Sequence, residues 1–366
     1  MSKSRRLLDD LLDSLENHPP GGKRLPILQE AANLADELAE DFEAFQIRQQ
    51  MMNESIIAGR GDVLAVAFAW CLNRYDEDPE EYPNFNIMWA YRWVIDELSG
   101  FLNVTKKQIT DLIQDMKERY ERVGASLRPC YMLEMNVYPL LGDIGAAVEA
   151  FERWETSYRD ELADDRDSEL AFQVSFLVGC GEIEKARKLA DPLIKRRRGG
   201  EHEIGAACSR LLLPMWAAGE LDDAEQLQRL GVEMNLKDPR HVGRMGNHVA
   251  YLALTSQFKQ AQGLFCHVLP DALSSVKPFN RLIYYMKSSI LGSCLQQAGL
   301  SKVTLTLPEE LPIFESGGEY STSTFTRWLQ SESGTYAKEF DARNGTRHFF
   351  NVIKQHQEYL KKYQPK

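Results

Sequence analysis

A chain of 366 residues with 43% hydrophobic and 27% charged side chains can bury a sizeable interior, and it is longer than one hydrophobic core usually organises. Two or three domains, or one elongated repeat array, are the expectations, and wholesale disorder is excluded. The net charge of −11 and a pI near 5.3 argue against a general nucleic-acid binder, whose affinity comes from cationic side chains that release counterions from phosphates.

Taken in chain order, Arg5 and Arg6 precede leucines, but Asp9, Asp10 and Asp13 interrupt any apolar run long enough for a signal peptide. Residues 1–43 read as two N-terminal capping helices split by the turn HPPGGKRLP, the second running through PILQEAANLADELAEDFEAF. No stretch of about 18 apolar residues follows, so no membrane partner or membrane-spanning helix is expected. The cluster Trp89, Tyr91 and Trp93 is too dense for one helix face: positions 89 and 93 share a side while 91 points elsewhere, and burial is the favoured reading.

Residues 44–300 carry a spaced turn. GDIGAAVEAF from Gly142, GEIEKARKLA from Gly181, GELDDAEQLQ from Gly219 and SQFKQAQGLF from Ser256 align, with starts 39, 38 and 37 residues apart. The third position is apolar in each (Ile144, Ile183, Leu221, Phe258) and the sixth is alanine (Ala147, Ala186, Ala224, Ala261). GDVLAVAFAW from Gly61 fits the same frame through Val63 and Val66, and Gly100 and Gly299 fit it weakly. A glycine closes a helix without a Cβ clash, and the acid that follows suits the positive end of the next helix. Alanine at fixed depth lets two helices approach closely, and the apolar residue three places earlier is expected to cover the turn. PCYMLEMNVYPLL, SELAFQVSFLVGC, AACSRLLLPMWAA and RMGNHVAYLALT precede these turns at helical length, so each unit reads as helix, turn, helix.

Beyond the array, SKVTLTLPEELPIFESGG at 301–318 breaks the helical period and reads as a loop or a short extended strand. Residues 301–366 then finish with helix-like stretches, STFTRWLQSES and RHFFNVIKQHQEYLKKY, whose aromatics Phe349, Phe350 and Tyr359 are expected to cover the open end of the array.

The repeat frame resembles the tetratricopeptide repeat (TPR). That resemblance implies an all-α, right-handed superhelix of antiparallel helix pairs with N- and C-terminal capping helices. The spacing of 37 to 43 exceeds the 34 typical of that family, and its tryptophan and proline positions are largely missing, so the frame is TPR-like. On the family's frame the first helices offer Asn136, Gln173, Arg210, Arg244, Asn247, Tyr251 and Arg281 to a groove, where arginine and asparagine suit a peptide carboxylate or backbone. The expected function is a protein- or peptide-binding scaffold. The alternative is a ligand-responsive, peptide-sensing regulator on the same repeats.

No catalytic motif is present: no H-E-x-x-H, no phosphate-binding G-x-x-x-x-G-K, no dinucleotide fingerprint and no G-x-S-x-G elbow. No enzyme activity, cofactor or metal is therefore expected. The acidic run ELADDRDSE at 161–169 reads as a linker and helix cap, and Lys195, Arg196, Arg197 and Arg198 as a helix-ending run with weak potential as a basic patch for an acidic partner or nucleic acid. The six cysteines (71, 130, 180, 208, 266, 294) have no paired spacing and are read as buried thiols in a reducing cytoplasm.

Overall fold

The computed structural model describes residues 2–82 and 85–365, which hold seventeen α-helices and one short antiparallel ribbon. Residues Met1–Val137 with Glu149–Ala163 form one compact unit, and Tyr138–Val148 with Asp164–Lys366 form another.

The first unit contains α1 (Lys3–Ser14), α2 (Leu25–Glu37), α3 (Asp41–Ala58), α4 (Gly61–Glu77), α5 (Phe85–Ser99), α6 (Lys106–Arg122), most of α7 (Arg128–Leu140) and the second half of α8 (Ile144–Thr156). From α1 to α6 each helix packs on the next. The single helix expected from Pro26 to Phe45 is two helices. The chain turns at Ala39, which is left-handed at φ 56°, and Asp41 and Glu43 then place negative charge in the first turn of α3. The turn assigned to Gly61 also moves. Gly59 takes the left-handed conformation and Gly61 is the first residue of α4, so Leu64 is buried while Val66 is 73% exposed. The aromatic cluster divides as expected by helical spacing: Tyr91 is fully buried, and Trp89 and Trp93 form a half-buried pair with centroids 5.7 Å apart.

The second unit holds α9 (Arg166–Gly179), α10 (Ile183–Ile194), α11 (Glu201–Ala218), α12 (Leu221–Asn235), α13 (Val242–Leu254), α14 (Phe258–Ser274) and α15 (Pro278–Gln297). After them come β1 (Lys302–Thr304), β2 (Glu319–Ser321), α16 (Thr322–Asn344) and α17 (His348–Lys362). Helices α9, α11, α13 and α15 pack in sequence as a row, while α10, α12 and α14 each pack against the row helix before and after them. The turns are the expected ones: Gly142, Gly181, Gly219, Ser256 and Gly299 are left-handed, with φ between 61° and 84°. Ala147, Ala186, Ala224 and Ala261 are all fully buried at the matching depth. Asp165, in the acidic run, caps α9 by accepting from the backbone of Asp167 and Ser168.

One part of the repeat pattern fails. Ile144 and Leu221 are 45% and 57% exposed and so do not cover their turns. Each opens its helix, and a first-turn Cβ leans back past the helix end, away from the partner helix. The cysteines also depart from expectation: all six are free thiols, but Cys180 is exposed at the C-cap of α9 and Cys266 is half-buried.

Residues 302–304 and 319–321 pair with Val303 opposite Tyr320, which settles the extended alternative for this segment. α16 packs on α15, and α17 packs on both α15 and α16. Asp341 accepts from the backbone of Phe349 at 2.9 Å and Phe350 at 3.0 Å, capping α17. Phe349 is buried beside Phe279 and Phe340, whereas Phe350 is exposed. At its far end α17 reaches α11 and the α13 turn, through Lys362 donating to the Ala217 carbonyl at 2.8 Å and a Ser256–Tyr363 hydroxyl pair at 3.2 Å. Among the described residues no helix is long and apolar enough to cross a membrane.

Candidate functional site

The row α11, α13, α15 carries two layers of polar side chains with opposite character. The inner layer is sealed. His248 on α13 is fully buried; its Nδ1–H donates to Gln228 Oε1 at 2.8 Å, and its Nε2 accepts from the Ser209 hydroxyl at 2.9 Å. Asn235 donates to Ser209 Oγ and to the carbonyls of Gly205 and Gly231, and Asn247 donates to the Ser209 carbonyl at 2.8 Å. Glycine is what permits this chain: a Cβ on Gly231 would lie 2.4 Å from His248 Cε1. Serine, histidine and an orienting amide have the connectivity of an activated nucleophile, but Ser209, His248 and Gln228 are all buried, so no substrate reaches the hydroxyl along this geometry. The network specifies how α11, α12 and α13 meet.

The outer layer is cationic. Arg210 follows Ser209 on α11; its side chain is exposed to water, yet protein crowds around it closely enough that desolvation lowers its pKa. A side chain open to water yet closely surrounded by protein fits a concave stretch of the row's surface, here called the recess. Arg244 on α13 is half-buried and held in place: Nη1 donates to the His202 carbonyl at 3.0 Å and to Asn235 Oδ1 at 3.4 Å, and Nη2 donates to His202 Nε2 at 3.0 Å. Burial and the neighbouring Arg210 push Arg244 down to about 9, still a cation at neutral pH. Lys287 on α15 is only 6% exposed, and its Nζ donates to one acceptor among the described residues, the Gly243 carbonyl at 3.2 Å. Its stem lies so close to α13 that a Cβ on Gly246 would sit 3.0 Å from Lys287 Cβ. Burial first, then Arg210 and Arg244, hold its pKa well below that of an ordinary lysine.

Histidines line the same recess in their neutral form. His202 is pushed down to about 3 by desolvation and then by Arg244, and His356 on α17 to about 3 by desolvation and then by Lys287 and Arg210. Because Arg244 donates to His202 Nε2, the proton of His202 sits on Nδ1, which donates to His241 Nε2 at 3.0 Å. The two acids that act on Arg244 are engaged elsewhere: Asp238 binds Arg240 at 2.5 Å, and Glu203 accepts from Gly200 N and the Ser168 hydroxyl. Arg210, Arg244 and Lys287 thus share a neighbourhood, and none of them makes an ion pair among the described residues.

The other sequence-derived groove residues are placed differently. Tyr251 is buried, with its hydroxyl donating to Glu225 at 3.1 Å, and Asn247 belongs to the sealed layer. The Arg281 guanidinium is engaged by the Ala272, Leu273 and Ser275 carbonyls at the end of α14 and by the Tyr336 hydroxyl. Gln173 is half-buried on α9 and makes no hydrogen bond among the described residues, whereas Asn136 lies in the first unit and donates to Asp96. Sequence reasoning missed Lys287 and His356. A signal for Lys287 existed: it stands twelve residues before Gly299, just as Arg244 stands twelve before Ser256. His356 had none, because only the return of α17 onto α15 brings it there.

The exposed basic run is neutralised in large part. Lys195 pairs with Asp191 at 3.0 Å, Arg197 with Glu233 at 3.2 Å and Arg198 with Asp167. A cleft of about 380 Å³ in the first unit, lined in part by Leu12, Leu15, Glu16, Arg24 and Glu43, has two of its charges matched, Arg24 by Glu54 at 3.0 Å and Glu43 by Arg5.

The chain is therefore an all-α protein whose neighbouring-helix packing is consistent with a helical repeat, with a cluster of basic side chains on one row of helices. Comparison with protein-family models and with curated proteins finds no match to it.

Proposed function

We propose that this protein is a protein- or peptide-binding scaffold built on TPR-like helical hairpins, without catalysis of its own, and that the row α11, α13, α15 is the surface it presents to its partner. One observation carries the reading: Arg210 is open to water and, among the described residues, without an ion-pair partner, in a chain with 54 acids against 43 bases. A guanidinium in that position forms paired hydrogen bonds with a carboxylate or another oxyanion supplied from outside. The sealed Ser209–His248–Gln228 chain supports a structural rather than a chemical role for the nearest histidine. Free cysteines suit a reducing cytoplasm.

The test is selection of displayed peptides on the intact protein. Selected peptides are expected to be acidic, and Arg210→Ala is expected to abolish their capture while the circular-dichroism melt stays in place. Capture that survives Arg210→Ala would remove the row as the binding surface.

A second reading, a ligand-responsive regulator on the same repeats, is favoured by α17. That helix brings His356 to the recess and is tied at its end to α11 and the α13 turn by two hydrogen bonds. Ligand in the recess would then change hydrogen-exchange protection along α17, and unchanged protection at saturation would rule this reading out.

A further inference from the structure

We propose that Arg210, Arg244, Lys287 and His356 form a subsite for a phosphate-type dianion, the phosphoryl group of a phosphorylated peptide segment; this rests on the reading of the α11–α13–α15 row as the binding surface. The argument begins with unfilled hydrogen-bonding capacity. Arg244 has three of its five N–H groups engaged, by His202 and Asn235, which fixes the fork and leaves Nε–H and one Nη2 hydrogen to donate. Lys287 uses one of three ammonium hydrogens, on the Gly243 carbonyl. Arg210 makes no hydrogen bond among the described residues, and His356 Nδ1 is buried without a partner. Arg210 is the member open to water, so an acceptor from outside the chain would meet it first and then the unused hydrogens of Arg244 and Lys287.

Charge selects the acceptor. Two guanidinium groups and an amine meet from three successive row helices, and the guanidinium charges raise the cost of protonating the amine. One carboxylate supplies a single negative charge and two oxygens. A phosphoryl group supplies about −1.5 to −2 at neutral pH and three strong acceptor oxygens, a closer match to two guanidinium groups and an amine whose protonated form an incoming dianion would favour. Lysine contributes as a point charge and arginine as a planar fork, the two modes by which phosphate is commonly held. The exposed run at 195–198 shows that lone cations are not the habit of this chain, since three of its four members find an acid within the second unit.

The experiment titrates the full-length protein, by calorimetry, with inorganic phosphate, a degenerate phosphoserine peptide pool and the same pool without phosphate. The phosphoserine pool is expected to bind at least about tenfold more tightly than its unphosphorylated twin, and inorganic phosphate to compete with it. Arg210→Gln and Lys287→Met are each expected to weaken the phosphoserine pool by about tenfold or more, with a melting temperature unchanged or raised, which separates lost binding from lost folding. Equal affinity for the two pools overturns the phosphate assignment; if that binding still depends on Arg210, the scaffold reading stands. Inorganic phosphate binding as tightly as the phosphoserine pool overturns the peptide origin of the group. Absence of any Arg210-dependent ligand overturns the subsite and the scaffold surface together.

Discussion

Arg128 in the first unit and Lys287 in the second are both buried basic side chains on packed helices, and their surroundings could hardly differ more. Arg128 donates to the Trp154 carbonyl at 2.8 Å and the Ser157 carbonyl at 2.9 Å and lies 4.2 Å over the Trp154 ring. Elsewhere in the first unit several recessed charges are matched: Arg48 with Asp36 at 2.6 Å, Lys117 with Glu134 at 2.5 Å, Arg119 with Asp115 at 3.0 Å and Asp76 at 2.5 Å. Lys287 has one carbonyl and faces two further cations. A desolvated charge stabilises a fold only when its partners repay the lost hydration. The contrast shows where this chain gives stability up, and an array of unmatched charge is what a binding surface for an anion requires.

Acid should separate the two units most strongly. His241 and His248 are buried and held down to about 3, by burial first, then by Arg244 for His241 (with Asp238 opposing) and by Lys287 for His248. An unfolded histidine titrates near 6.5, so between pH 6.5 and 3 the unfolded chain binds protons that the folded one refuses, and stability falls as pH falls. From pH 6.5 to 5 the loss is on the order of 2 kcal/mol for each of the two groups. Urea midpoints measured along that range test it, and exchange protection should be lost first in α11–α13; the first unit contains only His18. A flat profile would mean that these histidines are not desolvated.

Next in size, Arg128→Ala should cost about 4 kcal/mol, since it strands two carbonyls and leaves a void beside Trp154, read as a lowered urea midpoint with unchanged slope. Gly231→Ala should cost about 3 kcal/mol, because the new Cβ collides with the His248 ring and breaks the sealed chain. Lys287→Met should go the other way and stabilise by about 1 kcal/mol, the sharpest single test of the contrast with Arg128. Smallest is Arg197→Ala: its partner Glu233 is exposed, so a change of no more than about 0.5 kcal/mol is expected in thermal melts.

Much of the helical order was readable from the chain alone, and the reasons are local. A left-handed residue at Gly142, Gly181 and Gly219 needs no Cβ, and Ala147, Ala186 and Ala224 mark fixed depths in the helices that follow, so turn and contact are written in adjacent residues. The break at Ala39 was not readable, because no glycine or proline announces it. Of the groove residues, Arg210 and Arg244 come together in the recess, while Tyr251 and Arg281 are held by Glu225 and by the end of α14. All four sit on row helices with similar polarity, and only the packing determines which of them meets an internal partner.

The sequence by itself determined the helices, their turns and the alanine-spaced contacts, because each depends on residues a few positions apart. Tertiary structure alone decided which polar groups are gathered without acids: Arg210, Arg244, Lys287 and His356 are separated by 34, 43 and 69 residues and come together because successive row helices pack side by side and α17 returns to α15. Desolvation and missing counter-charges are properties of that assembled neighbourhood, not of any segment within it.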